Sequence, residues 1–330
     1  MLDRILITND DGIDAPGLAI CERIGAELAR EVWVVAPEHD QSGVSHAVSL
    51  HHPIRVSEQG LRRYGITGTP GDCAVMGACH LMPQAPQLLL SGVNRGANLG
   101  LETVFSGTVG GAMTGMLVGI PSIALSQAWT DRAHVRWDTA AALGADVVRR
   151  LLAIGWSAAT CLNVNFPDLP AKDVGSLTLA RQGPGLIQGL QVETRIDPRG
   201  LSYHWISFRR GPRDQGPESD VEALHAGKIA VTPMRYDRTD EEAYAMLAKG
   251  VAAVIQALGQ SRRIGSRPSQ PTAASRTASK IRRRVGVSSA ISMTVPGWPS
   301  LRKYTNGPRG LSPLWPIVQP PLTARLSSSW

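Results

Sequence analysis

The sequence predicts an α/β protein built on a buried parallel sheet, and three features carry that expectation. Residues 5–8, Ile-Leu-Ile-Thr, form a short apolar run that ends abruptly in Asn9-Asp10-Asp11-Gly12. Such a run suits a strand covered on both faces better than one that alternates between core and water. Residues 16–30 have helical spacing, with Leu18, Cys21, Ile24, Gly25 and Leu28 on one face and Arg23, Glu27 and Arg30 on another. Residues 31–36, Glu-Val-Trp-Val-Val-Ala, are then a second strand. The chain therefore opens as a βαβ unit, whose crossover is expected to be right-handed.

The elements follow from local chemistry. Asp10 and Asp11 fall at the carboxyl end of the first strand, where open α/β sheets bind ligands. Adjacent carboxylates repel unless a proton or cation intervenes, and a hard divalent metal is the usual resolution. The alternative is that they start a turn and cap the helix that begins near Pro16. The second strand ends in the polar loop 37–46, which a parallel sheet carries beside the first, bringing Ser42 near Asp10 and Asp11. A Ser-Gly pair in a loop otherwise marks a simple turn. Residues 54–57 and 64–67 read as short strands around a polar turn. Thr69 and Pro70 read as N-cap and first position of an apolar helix running to about Met82, and residues 87–91 as another buried strand.

Residues 91–111, Ser-Gly-Val-Asn-Arg-Gly-Ala-Asn-Leu-Gly-Leu-Glu-Thr-Val-Phe-Ser-Gly-Thr-Val-Gly-Gly, follow that strand and lead into a helix at 108–118. A glycine-rich loop ending in Ser-Gly-Thr at a helix start can aim backbone N–H groups and two hydroxyls at an anion. It matches neither the P-loop nor the dinucleotide fingerprint, and the plain reading is a connection whose glycines permit sharp turns. A strand at 121–126 and an amphipathic helix at 138–154 come next. Strands at 161–166, 176–180, 188–192, 202–207 and 228–232 suggest a β-rich second half, closed by a helix at 240–258 with an acidic first turn.

Composition divides the chain. Residues 261–330 hold twelve of the 34 Lys and Arg and no Asp or Glu, which leaves 22 basic against 27 acidic residues, a net −5, in residues 1–260. The basic character belongs to the tail, residues 260–330, whose Ser, Pro and Arg content without a sustained period predicts disorder. Such a tail can bind nucleic acid, be a loose extension, or result from a shifted reading frame; nucleic-acid contact is the minor expectation. No apolar run is long enough to span a bilayer, so a cytoplasmic protein without membrane contact is expected. Its four cysteines are read as reduced core thiols.

Asn9-Asp10-Asp11-Gly12, Ala15-Pro16-Gly17, Val35-Ala36-Pro37, Gln41-Ser42-Gly43, Gly68-Thr69-Pro70, Ser91-Gly92-Val93-Asn94, Gly96-Ala97-Asn98-Leu99-Gly100 and Ser106-Gly107-Thr108 stand in this order. With them the chain closely resembles the SurE family of stationary-phase survival phosphatases. The likeness continues through Asn163-Val164-Asn165-Phe166-Pro167, Asp197-Pro198-Arg199-Gly200 and Val231-Thr232-Pro233. It implies a metal-dependent nucleotidase acting on nucleoside 5'- and also 3'-monophosphates, with activity on short polyphosphate in some members. It implies that one divalent cation, Mg²⁺ or Mn²⁺, is held by Asp10, Asp11, Ser42 and Asn94, and that phosphate meets Asn98, Ser106, Gly107 and Thr108. The implied fold is a Rossmann-like, mostly parallel sheet core over residues 1–165 with helices on both faces. A β-rich extension at 166–259 would pack on neighbouring subunits of a homodimer or homotetramer. The tail is the departure from the family pattern.

Oxygen donors alone suit a hard cation, which would hold a phosphate oxygen and activate a water for in-line attack. Asp10 and Asp11 are the catalytic candidates, and Asn9 and His46 the auxiliary ones. The competing class is a non-catalytic nucleotide-binding module anchored by the basic tail. Low aromatic content, 5%, leaves few stacking platforms and suggests broad base selectivity.

Overall fold

The computed structural model describes residues 1–157 and 159–251. The tail expected at 260–330, and the end of the helix expected at 240–258, lie outside the described residues, which are helical from 241 to 251. Residues Met1–Ala245 form one compact unit.

In chain order its elements are β1 (Leu2–Thr8), α1 (Pro16–Leu28), β2 (Ala29–Pro37), β3 (Val56–Gly60), β4 (Arg63–Ile66), α2 (Pro70–Met76), β5 (Leu88–Arg95), α3 (Gly107–Leu117), β6 (Ser122–Gln127), α4 (Trp137–Ile154) and β7 (Cys161–Phe166). They continue as β8 (Leu177–Leu179), β9 (Ile187–Ile196), β10 (Ser202–Arg210), α5 (Asp220–His225) and β11 (Ile229–Met234). A nine-stranded sheet runs β3-β4-β2-β1-β5-β6-β7-β11-β8. Its centre is parallel, with β1 between β2 and β5 and β6 between β5 and β7. The antiparallel pairs are β3 on β4 and β11 on β7. The expected Rossmann-like α/β architecture is therefore present. β11 and β8 return from the second half of the chain to complete the main sheet.

Period-two alternation sends Ile5 and Ile7 to one face and Leu6 to the other. On the first face Ile5, Ile7, Leu88 and Leu90 pack with Leu18 and Ile24 of α1 and Val147 and Val148 of α4. On the second, Leu6, Val35 and Leu89 pack with Cys73 of α2 and Val109 and Met113 of α3. Burying each such side chain contributes about 1.5–3 kcal/mol. The buried set of α1 includes all five residues its spacing assigned to the core.

Thr69 caps α2 as expected, its hydroxyl accepting from the Asp72 N–H while the Asp72 carboxylate accepts from the Thr69 N–H. The helix expected to run to Met82 is α only to Met76; residues 77–81 widen into a π turn. That turn carries Cys79 to the surface, against the expectation of four core thiols, while Cys21, Cys73 and Cys161 are buried and all four are free.

The β9–β10 hairpin forms its own two-stranded sheet and leaves Leu190, Val192, Trp205 and Ile206 exposed. No helix among the described residues is long and apolar enough to cross a membrane.

Candidate functional site

The chain leaves β1 toward β2 and β4 on one side, then returns to β5 on the other, so the strand order reverses between β1 and β5. A crevice opens at the carboxyl ends of strands at such a reversal. Asp10 and Asp11 lie at the end of β1, and Asn94 and Arg95 close β5 beside them.

Asp10 is 3% exposed and belongs to no helix cap: the N-cap of α1 is Ala15, without any side-chain hydrogen bond, which removes the capping alternative. Its Oδ1 accepts from the Thr108 hydroxyl at 2.5 Å. Gly107 comes so near that an added Cβ would stand 2.8 Å from the Asp10 Cβ and 3.0 Å from Oδ2. Glycine there lets the start of α3 close on the carboxylate. Burial, and then the charge of Asp11, push the Asp10 pKa up to about 7, against the lowering effect of the Thr108 hydrogen bond. Asp11 is also raised, first by burial and further by Asp40, although the Arg95 N–H donates to its Oδ2 at 3.0 Å.

The loop after β2 is tied to this pair through Gln41, whose N–H donates to the Asp10 carbonyl at 2.7 Å. Ser42 is the next residue, exposed, its N–H held by Asp40 Oδ1 at 2.7 Å and its hydroxyl unengaged among the described residues. The β5–β6 pairing breaks between Ser91 and Asn94, a bulge that re-aims the end of β5. Asn94 Nδ2 donates to the Gly96 carbonyl at 2.7 Å, which leaves its Oδ1 free. The donors on offer are two carboxylates, a hydroxyl and an amide oxygen. Among the described residues no group of three or more His, Cys, Asp or Glu side chains is placed to hold a metal. Two carboxylates raised by burial and by a neighbouring acid, with a hydroxyl and an amide oxygen on the adjoining strand ends, fit a hard divalent cation, which relieves both effects.

On the facing side Ser106 caps α3, its hydroxyl accepting from the Val109 N–H at 3.1 Å. That leaves the N–H groups of Gly107 and Thr108 at the helix start, where anions are favoured. Asn98, 9% exposed, is fixed from below. Its N–H donates to Asn165 Oδ1 at 2.8 Å, and its carbonyl accepts from Asn165 Nδ2 at 3.0 Å and Asn163 Nδ2 at 2.8 Å. Its side chain meets the Ser126 hydroxyl at 2.9 Å. Gly100, two residues on, donates its N–H to Asp220 Oδ2 at 2.7 Å, and Asp220 Oδ1 accepts from the Gly183 N–H at 3.0 Å.

Asn163, Asn165, Ser126, Asp40 and Asp220 were not singled out as site residues from sequence. The signal for the asparagines was present: two Asn facing inward on an apolar strand need a buried partner. The auxiliary candidates make contacts of their own beside the acids. Asn9 Nδ2 donates to the Gly12 carbonyl at 2.8 Å, and its Oδ1 is buried without a partner among the described residues. His46 sets Nδ1 against the Ser45 hydroxyl at 3.3 Å and Nε2 against Met113 Sδ at 3.1 Å, with Tyr236 edge-on at 5.7 Å. Burial and Arg238 lower its pKa, which favours the neutral ring, and it makes no hydrogen bond to either acid.

Comparison with known proteins places this geometry. The family model described as Survival protein SurE matches residues 5–188. The chain is 57% identical over 248 residues to the 5'-nucleotidase SurE 1 of Burkholderia lata, covering 75% of this chain and 96% of the relative. It is 48% identical over 249 residues to the 5'-nucleotidase SurE of Azorhizobium caulinodans, covering 74% and 98%. The crystal structure of the SurE protein from Aquifex aeolicus superimposes with a TM-score of 0.62 at 34% identity, covering 72% of this chain and 96% of that one.

Proposed function

The chain belongs to the survival protein SurE family, and from that premise we propose how its residues divide the work of a 5'-nucleotidase. The activity rests on the nucleotidase relatives, two of them 57% and 48% identical over three quarters of the chain. The assignment of residues rests chiefly on one observation, the buried Asp10 carboxylate held by Thr108 at the N-terminus of α3.

Asp10, Asp11, Ser42 and Asn94 hold one divalent cation, Mg²⁺ or Mn²⁺. When bound, such a cation polarises the phosphoryl group and lowers the pKa of water. The N–H groups of Gly107 and Thr108 receive the non-bridging phosphate oxygens, joined by Asn98 and the Ser106 hydroxyl, so charge developing in the transition state meets donors already in place. Asp10 takes a proton from the attacking water and returns one to the leaving ribose oxygen. Arg95, by donating its N–H to Asp11, orients the second carboxylate. Asn9 and His46 shape the loops around the acids instead of exchanging protons.

We assign the catalytic body to residues 1–259 and oligomer contacts, in a homodimer or homotetramer, to the exposed β9–β10 hairpin. Nothing favours the binding-module alternative, since the relatives are named as nucleotidases.

The test is phosphate release from a panel of nucleoside monophosphates by protein stripped with EDTA and then supplied with Mg²⁺ or Mn²⁺. Release restored by metal is the expected result. Folded protein that released no phosphate with either metal would overturn the proposal.

A further inference from the structure

The phosphoryl site accounts for one end of a nucleotide only, and the crevice continues past it. A cavity of about 760 Å³ begins at Asn94, Arg95 and Gly96 and runs over the carboxyl ends of β6 and β7. That is within the range of small-molecule sites, roughly 300–1,000 Å³. Trp129, just beyond β6, is one of the residues that line it. The indole N–H donates to the Arg95 carbonyl at 3.3 Å, which fixes the ring, while the residue keeps 38% of its surface exposed. A Cβ built on Gly96 would lie 3.2 Å from the indole nitrogen and 3.9 Å from Asn94 Nδ2. Gly96 has φ +126°, and its missing side chain keeps the passage between Asn94 and the ring open.

Leu169, Val221 and Leu224 make part of the wall apolar. Two of the charged groups on the rim are already paired. Arg210 is bridged to Glu102 at 3.2 Å, and Asp168 accepts from Thr130 and pairs with Arg136 at 3.1 Å. A flat, weakly polar group is what such a cavity receives. Among the described residues, Trp129 is the only indole or phenyl ring lining it, beside the smaller imidazole of His225.

We propose that this cavity is the nucleoside subsite and that Trp129 is its specificity-determining residue, stacking the base of a nucleotide whose phosphate sits between Asp10 and α3. The proposal rests on the nucleotidase reading and adds to it where the base goes. The base is gripped by its face against the indole. Purines and pyrimidines are both accepted, purines more tightly because their stacking area is larger.

The experiment compares the wild type with Trp129→Ala and Trp129→Phe, each loaded with Mn²⁺. It measures KM and kcat for nucleoside 5'-monophosphates and the inhibition constant of inorganic phosphate, which fills the phosphoryl site alone. Base–aromatic stacking has an effect of about 5- to 150-fold by alanine replacement. Trp129→Ala is therefore expected to raise KM roughly 5- to 100-fold for purine nucleotides and less for pyrimidine ones, with kcat and phosphate inhibition changed less than twofold. Trp129→Phe, which keeps a stacking face, recovers most of the loss. An unchanged KM in folded Trp129→Ala overturns the subsite while leaving the nucleotidase assignment standing. A parallel rise in KM and in the phosphate inhibition constant also overturns it, because the ring would then act through the phosphoryl site. A wild type that turns over no nucleotide overturns both.

Discussion

Thr108→Val probes the site at its shortest contact. The Thr108 hydroxyl donates to Asp10 Oδ1 at 2.5 Å with both residues buried. Valine preserves the shape and removes the donor, so the carboxylate loses a charge-assisted hydrogen bond with no solvent to replace it. Such a bond contributes about 1.5–3 kcal/mol. The bond also holds the Asp10 pKa down against burial and Asp11, so its loss raises that pKa above about 7 and leaves less ionised carboxylate at neutral pH. Both effects weaken cation binding, and together they predict Mn²⁺ affinity roughly 10- to 150-fold lower at pH 7. Calorimetric titration of metal-free protein at pH 7 and pH 8.5 is the assay. The deficit should shrink at the higher pH, where proton competition fades, and Thr108→Ser should restore most of the affinity. Wild-type affinity within twofold in folded Thr108→Val at pH 7 would show that this hydrogen bond does not support the cation site.

Two further variants test neighbouring parts of the argument. With a folded-state pKa of about 7 against 3.8 unfolded, Asp10 favours the folded state fully below pH 4, and this contribution disappears as the pH rises through 7. Asp10→Asn does not titrate there, so EDTA-treated Asp10→Asn should gain stability relative to the wild type between pH 5 and pH 8, by about 2.5 kcal/mol, while losing turnover. Urea midpoints at the two pH values check this, and a constant gap would count against it. Asn165→Asp keeps the acceptor for the Asn98 N–H but sets a carboxylate oxygen against the Asn98 carbonyl in place of the 3.0 Å donor. A stability loss of about 1–3 kcal/mol is expected, together with a raised inhibition constant for inorganic phosphate. If phosphate inhibition is unchanged in the folded variant, Asn165 does not position Asn98.

What the sequence by itself determined is whatever depends on near neighbours along the chain. The apolar run of β1, the helical spacing of α1 and the Thr69-Pro70 helix start are local patterns, and each reappears within a few residues of its expected bounds. The placement of Asp10 and Asp11 at a strand end, with Ser42 on the adjoining loop, follows from one βαβ unit and was legible for the same reason. Less local features were read short. β9 and β10 extend to Ile196 and Arg210 because antiparallel pairing to each other, not side-chain alternation, sets their length.

Only the tertiary structure decided the partners of the site. Thr108 reaches Asp10 across 98 residues, Asn165 clamps Asn98 across 67, and Asp220 ties down Gly100 across 120. The same holds for His46, which packing turned toward Met113, and for Trp129, which stands beside Asn94 because β5 and β6 are neighbours. Strand order and helix packing are fixed by which apolar faces can be buried together, a property of the whole chain. The residue types of the site could be read in line, while their distances, pKa values and cavity exist only once the sheet has closed its order.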